Sequence, residues 1–298
     1  MDEILLRRSV LFLPAANPRA IAKARTLDCD AVVLDLEDAV APAAKAAARE
    51  AAVAAVTEGG WGHRALLIRV NALATSWSDG DFAAVAGLGG LAGIVLPKVA
   101  DAADAAIAVA RGGGLAVWAM IETPAGVQAV DDIAATPGIT ALVAGTTDLT
   151  ADLRARRVRE RTPLLYSLSR IVVAARAARI AAFDGVFTAL DDAAGLAAEA
   201  EQGRDLGFDG KTLIHPGQIA TANRIFAPSA EDVVFAHGLI DAYTAALADN
   251  RGVTTYAGKL VEGLHVTAAQ RILRQADAIA ARSREALPPL TSDNDGGN

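Results

Sequence analysis

Two stretches of the chain each close an apolar run with a single carboxylate. "VWAMIETPAGV" (117–127) is apolar until Glu122, which stands before a Thr-Pro turn, and "ITALVAGTTDL" (139–149) is apolar until a glycine is followed by two threonines and Asp148. Other runs end in charge as well: "AVVLDLED" (31–38) holds Asp35, Glu37 and Asp38, "ALLIRVNA" (65–72) holds Arg69 and Asn71, "GIVLPKV" (93–99) holds Lys98, and "GKTLIHPGQ" (210–218) holds His215. Carboxylates gathered in one place raise one another's pKa unless a cation sits among them. A hard divalent ion meets that need, because Mg2+ prefers oxygen ligands and takes only one or two carboxylates, leaving its other positions to water and substrate. Glu122 and Asp148 are the candidate ligands, with Mn2+ as a substitute ion. Taken singly, either acid reads equally well as a helix cap or as a partner of Arg69; the pair together with Arg69 and "LDLED" favours a metal site. Lys98 suits Schiff-base chemistry or, more plainly, a structural ion pair. His215 suits a hydrogen bond near the site or a place in the core.

These residues meet only if the runs that carry them lie side by side. With "SVLFLP" (9–14), "LAVWAMIET" (115–123) and "AAFDGVFT" (181–188), the chain has eight apolar runs, separated by alanine-rich helical stretches over 18–27, 43–57, 101–110, 164–179 and 191–206. The runs are continuously apolar rather than alternating, so both faces are buried, as in a parallel sheet covered by helices. Eight such units over about 220 residues predict a (β/α)8 TIM barrel, whose strand C-termini converge on one face where active sites are built. An open doubly wound sheet is the rival, but the first run ends in "PAANP" and lacks the glycine fingerprint of a dinucleotide site. The α/β barrel is expected over 1–228, followed by a C-terminal helical arm and lid over 229–285 with helices at 230–248 and 266–283, and a disordered tail over 286–298. Between the two arm helices, 251–265 carries Gly252, Gly258 and Gly263 and reads as a mobile connector.

Composition limits what the chain does. At 298 residues and 53% hydrophobic it builds a large core, and a net charge of -7 argues against nucleic acid as a partner. No apolar run approaches the ~20 residues of a membrane span. The opening "MDEILLRRSVLFLP" is too acidic and too short to read as a signal peptide, and Cys29 stands alone, so a cytoplasmic protein is expected.

Taken in order, "LFLP", "NPRAIAKA", "DAVVLDLEDAVAP", "IRVNA", "GIVLPKV", "IETPAGV", "GTTDLTADL", "VVAARAA" and "LGFDGKTLIHPGQI" resemble the citrate lyase β-subunit-like family of the HpcH/HpaI aldolase group, over residues from about 8 to about 275. The resemblance implies a Mg2+-dependent carbon-carbon lyase that cleaves a 3-hydroxyacyl-CoA, of the malyl-CoA or citramalyl-CoA type, into a short acyl-CoA and a 2-oxo acid. It implies Glu122 and Asp148 as metal ligands, Arg69 on the enolate and 2-oxo acid oxygens, and Glu37 and Asp38 as hydrogen-bond partners of water on the metal. Arg19 and Lys23 match positions used for CoA phosphates, although a solvated helix face reads equally well, and "RARRVRER" (154–161) is a solvated loop or a further phosphate contact. Members with an arm carry "GKM(I/V)D" there, whose Asp enters the site of a neighbouring subunit as the base; this chain has "YAGKLVEGLH" (256–265), with Glu262 in that place. A homo-oligomer follows, a trimer by preference. A second departure is "GTTDLTADLRAR", where Thr147 and Arg154 replace an acid or small residue and a glycine, altering the substrate pocket. A metal-dependent pyruvate aldolase on free 2-oxo acids, and a citrate lyase β subunit acting on a carrier-bound thioester, are the alternatives.

Overall fold

The computed structural model describes residues 6–285; the expected disordered tail, 286–298, lies outside them. The chain divides into two units, Arg7–Phe226 and the described residues from Ala227 onward together with Leu6.

The first unit is a closed, all-parallel barrel of eight strands, as expected: β1 (Ser9–Pro14), β2 (Ala31–Asp35), β3 (Ala65–Arg69), β4 (Gly93–Leu96), β5 (Val117–Ile121), β6 (Ile139–Ala144), β7 (Ala181–Asp184) and β8 (Gly210–Leu213), with β8 returning to pair with β1. Each strand after β1 stops earlier than the apolar run that announced it, so most of the charged residues sit just beyond the strands in the loops. Side chains point alternately inward and outward along a strand. The inward set forms its own core, with Val10, Val33, Leu67, Val95, Val143 and a Trp118–Phe183 stack whose ring centroids are 4.6 Å apart. The outward set, including Leu11, Val32, Ile68, Ile94, Ile121 and Leu142, meets the helices in a larger shell rich in alanine. Small side chains let helices lie close against the sheet.

Helix starts follow side-chain capping. Asn17, Asp101, Thr123 and Asp192 each accept a hydrogen bond from a backbone N–H in the first turn of the following helix, an interaction worth ~1 kcal/mol. Two ion clusters are buried in the barrel wall. Arg8 grips Asp30 through Nε (3.0 Å) and Nη2 (2.9 Å), and Asp184, fully buried at the end of β7, receives Lys211 Nζ (2.9 Å) and Arg161 Nη1 (2.6 Å). Burial alone would raise the Asp184 pKa, but the two cations outweigh it and hold the carboxyl below its usual range. Asp184 is therefore ionised at neutral pH and joins β7, β8 and the loop after β6.

In the second unit, the helix Ala230–Ala248 starts with a capping box formed by Ser229 and Asp232 and packs against the helix Gly263–Glu285. The connector expected between them is instead a hairpin of β9 (Thr254–Tyr256) and β10 (Lys259–Val261). Its turn residues Ala257 and Gly258 both have positive φ (48° and 75°), the sign that a tight two-residue hairpin turn requires. Tyr256 packs on Phe235, and the absence of a side chain at Gly238 leaves room for its ring. Val261, Ala236, Leu239 and Ala269 form this unit's small core.

Candidate active site

Strand register brings the charged residues together. The β2–β3 register aligns Asp35 with Arg69, and the β5–β6 register aligns Ile121 with Ala144, so Glu122 and Gly145 leave the barrel side by side. A side chain at Gly145 would collide with the Glu122 carboxylate. Glycine is thus the residue that lets the carboxylate lie against the β6 exit. Asp148 follows in the first turn of the helix Thr146–Asp152, one element beyond the strand end where its apolar run had suggested it.

Arg69 is the best-anchored group. Its Nε and Nη2 donate to the two oxygens of Asp35 at 2.6 Å each, and its Nη1 lies 2.9 Å from Glu37 Oε2. Asp35 is itself fixed, accepting from the backbone N–H of Glu37 (2.8 Å) and Ala39 (3.1 Å). Burial would depress the guanidinium's pKa, but the hydrogen bonds and charge of Asp35, then the charges of Glu37 and Glu122, carry it above its usual value. Arg69 stays cationic at every working pH. Phe12 and Met120 flank it.

Lys98 joins the acids on the other side. It adopts a left-handed backbone (φ 55°), a conformation that costs a non-glycine residue ~1–3 kcal/mol. This turn lets its N–H donate to Glu122 Oε1 at 2.7 Å while its ammonium pairs with Glu37 and approaches Asp38 and Asp148 to 3.6 Å. Burial would lower the ammonium's pKa, yet the Glu37 hydrogen bond and the charges of Glu37, Asp38 and Glu122 raise it on balance. An amine held protonated lacks the lone pair that Schiff-base formation needs; Lys98 acts as the ion-pair partner.

Glu122, only 3% exposed, has its pKa pushed up to about 7, first by burial and then by the charge of Glu37, with Arg69 and the Lys98 N–H opposing. Burial also raises Glu37, against Arg69 and Lys98, and its Oε2 has no hydrogen bond of good geometry despite the nearby guanidinium. Among the described residues, no cluster of three or more His, Cys, Asp or Glu is arranged to cage a metal. Two carboxylates opening on one pocket, one of them short of positive charge, are nevertheless the donor set that Mg2+ accepts. Glu122 and Asp148 could hold such an ion.

The pocket itself, about 430 Å³, is lined by Phe12, Pro14, Asp38, Arg69, Met120, Glu122, Thr147 and Asp148 among others. The barrel therefore gathers Arg69, Glu37, Asp38, Glu122 and Asp148 at its C-terminal mouth. Other expected residues lie elsewhere. Arg19 and Lys23 are exposed on the helix Pro18–Ala24 and do not line the pocket. His215 is exposed and is neither core nor pocket; its Nδ1 accepts from the Gly217 N–H and caps the next turn. Glu262 belongs to the second unit, just after β10, where its N–H donates to His265 Nδ1 at 3.0 Å. Sequence reasoning gave Lys98 a partner but missed its backbone hold on Glu122, which depends on a dihedral angle that the residue type does not announce.

A closed (β/α)8 barrel with a guanidinium and clustered carboxylates at its C-terminal mouth has the layout of a barrel enzyme's active site. The family model for HpcH/HpaI aldolase/citrate lyase matches residues 8–216, and the chain belongs to that family. It is 43% identical over 274 residues to a (3S)-malyl-CoA thioesterase of Cereibacter sphaeroides, covering 92% of this chain and 96% of the relative. It is 34% identical over 288 residues to the citrate lyase subunit beta of Escherichia coli, covering 93% and 95%. Among solved structures, the CitE protein of Mycobacterium tuberculosis in complex with magnesium, acetoacetate and coenzyme A superposes with a TM-score of 0.75 at 32% identity, over 90% of this chain and 97% of that one.

Proposed function

We propose that the protein is a Mg2+-dependent carbon-carbon lyase acting on a 3-hydroxyacyl-CoA of the malyl-CoA or citramalyl-CoA type, with a short acyl-CoA and a 2-oxo acid as products. The observation that carries this is Arg69, clamped by Asp35 on the wall of the pocket that also holds Glu122 and Asp148. The solved relative with magnesium and coenzyme A supports the same choice of cofactor and substrate class.

Glu122 and Asp148 would hold the ion, with Glu37 and Asp38 beside them. When bound, the ion supplies Lewis acidity toward the oxygens of the 2-oxo acid half. Cleavage begins as a base takes the proton from the 3-hydroxyl. The electron pair of the adjacent carbon–carbon bond then moves onto the thioester, which leaves as an enolate, while the former carbinol carbon becomes the carbonyl carbon of the 2-oxo acid. Arg69 is set to receive the enolate oxygen; a donor preorganised for developing charge is worth ~3 kcal/mol. Protonation of the enolate carbon completes the acyl-CoA. Glu262, in the place of the family's arm Asp, serves as the base from a neighbouring subunit of a homo-oligomer, a trimer by family pattern, and Arg19 and Lys23 contact the CoA phosphates. Among the described residues no helix is long and apolar enough to cross a membrane, and with its single, buried cysteine the enzyme acts in the cytoplasm.

A second reading rests on the relative at 43% identity, which is named for hydrolysis of the malyl-CoA thioester rather than for cleavage of its carbon skeleton. One assay separates the two. Malyl-, citramalyl- and methylmalyl-CoA are incubated with Mg2+ while released 2-oxo acid and free CoA thiol are followed in parallel. A lyase yields 2-oxo acid with no thiol. Thiol release without 2-oxo acid would replace the lyase by a thioesterase, and turnover of free hydroxy acids with no CoA binding would favour a pyruvate aldolase.

Mixing inactive Glu262→Ala and Asp148→Asn chains tests the shared base. A mixed oligomer places one intact arm over one intact metal pair, so activity is expected to return on subunit exchange. An active Glu262→Ala homo-oligomer, or no recovery after proven exchange, would place the base elsewhere.

A further inference from the structure

Among the described residues that line the catalytic pocket, Met120 alone carries sulfur. Side chains alternate along β5, so Trp118 and Met120 both belong to the inward-facing core. Trp118 is engaged in its stack on Phe183, whereas Met120, the last inward residue before Glu122, reaches the pocket wall with Phe12, Val186 and Ile214. Those neighbours present hydrocarbon; Met120 presents a polarisable thioether. The chain's other methionine is Met1, and its single cysteine, Cys29, is buried away from the pocket.

The sulfur also touches the group that the reaction depends on. Met120 Sδ lies 3.7 Å from Arg69 Nη1, the nitrogen that stands 2.9 Å from Glu37 Oε2, while Nε and Nη2 of the same guanidinium are committed to Asp35. A thioether is a weak acceptor and leaves the Nη1 donor open to a stronger one. Oxidation to the sulfoxide replaces this apolar atom by a polar, chiral group. Its oxygen either ties Nη1 or projects into the pocket where the substrate oxyanion belongs. In both orientations it competes for a donor whose loss costs ~100-fold in rate.

We propose that Met120 is a modification site at which a hydroperoxide turns the enzyme off. The Sδ lone pair attacks one oxygen of hydrogen peroxide, the S–O bond forms as the O–O bond breaks, and the departing hydroxide takes the proton of the attacked oxygen and leaves as water. Sulfur is oxidised by one electron pair and the peroxide is reduced by the same pair. Methionine sulfoxide is returned to the thioether by dedicated reductases, so the block is reversible. Its effect on rate rests on Arg69 facing the substrate oxyanion.

The test treats the full-length protein with hydrogen peroxide, follows mass and rate together, and reads each variant against its own untreated rate. Trypsin places Met1 and Met120 in separate peptides, 1–7 and 112–154, and fragmentation of the second distinguishes oxygen on Met120 from oxygen on Trp118. In the wild type, the rate is expected to fall in step with one added oxygen on Met120, to below about a tenth when that residue is fully oxidised. Met120→Leu, which nearly conserves volume, should keep most of its own rate at the same dose although Cys29 is still present. Met120→Gln sets an amide oxygen near the place of the sulfoxide oxygen and should start at about a tenth of the wild-type rate or less, with a melting curve to confirm folding. Oxygen added to Met1 but not to Met120, a fully oxidised Met120 with more than half the rate left, or a Met120→Leu chain inactivated as fast as the wild type would each overturn the proposal. The rate is that of whichever product appears, 2-oxo acid or free thiol, and the mass needs no turnover, so this outcome and the choice between lyase and thioesterase are decided separately.

Discussion

Glu122→Gln and Asp148→Asn are each expected to remove Mg2+-supported turnover while the barrel stays folded. Loss of groups that merely support metal ligands costs 10–100-fold in affinity or activity, so loss of a ligand's charge at a two-carboxylate site should exceed about a hundredfold. The amide in Glu122→Gln keeps the shape of the side chain and can still accept the Lys98 N–H, so packing against Gly145 is preserved. Stability should move in the opposite direction to activity. With its pKa pushed up to about 7, against ~4.3 in the unfolded chain, Glu122 binds its proton more tightly in the folded state. Its contribution to stability is full below the unfolded value and is lost as pH rises through about 7. Metal-free wild type should therefore lose more melting temperature between pH 5.5 and pH 8 than metal-free Glu122→Gln does. Wild-type turnover in either variant, or turnover that survives a chelator, would remove the metal pair from the mechanism.

Arg69→Lys is expected to lose roughly a hundredfold in kcat, equivalent to ~3 kcal/mol of transition-state stabilisation. The charge survives in the variant, but the geometry does not. Arg69 uses two nitrogens to span the two oxygens of Asp35 and keeps a third beside Glu37 at the pocket; an ammonium is a point donor that cannot hold its anchor and face the substrate together. Arg69→Ala removes the charge as well and leaves Asp35 buried without its cation while Glu37 keeps only Lys98, a loss that typically costs about 3–5 kcal/mol of folding stability. Comparing melting curves and kcat for the two variants separates anchoring from catalysis. If Arg69→Lys turns over normally, the guanidinium is only the structural partner of the acids.

The barrel was legible because eight apolar runs with buried character on both faces have few other ways to satisfy themselves, and all eight strands begin within two residues of the runs that announced them. Their ends were not legible. In "AVVLDLED" apolar and acidic residues continue past Asp35, but the strand ends there because Glu37 and Ala39 turn their N–H groups onto the Asp35 carboxylate. The short helices Ser78–Val85 and Thr146–Asp152 gave little signal, the first holding two aspartates and a glycine and the second following directly on an apolar run. The hairpin Thr254–Val261 was hidden behind glycines that suggested looseness, although Thr254, Thr255 and Tyr256 are good strand formers. The acids and Arg69 were visible as residue types at strand ends. The cluster of Arg161, Asp184, Glu199 and Lys211 was not, since its members are scattered over fifty residues and only β7–β8 pairing and the return of the loop after β6 unite them.

Lys98 holds the site twice, through its side chain on Glu37 and through its main chain on Glu122. A substitution scan sees only the first hold, because every amino acid except proline brings the same N–H. Replacing Lys98 by methionine or acetylating it strips the ammonium from Glu37 and leaves the Glu122 contact in place, so a mild phenotype would understate what the position does. Exchange of the peptide amide for an ester at residue 98, by semisynthesis or by incorporating the α-hydroxy acid, deletes the second hold and keeps the side chain. The two chemical edits together divide one residue into its two functions, which no pair of genetic variants at this position can do.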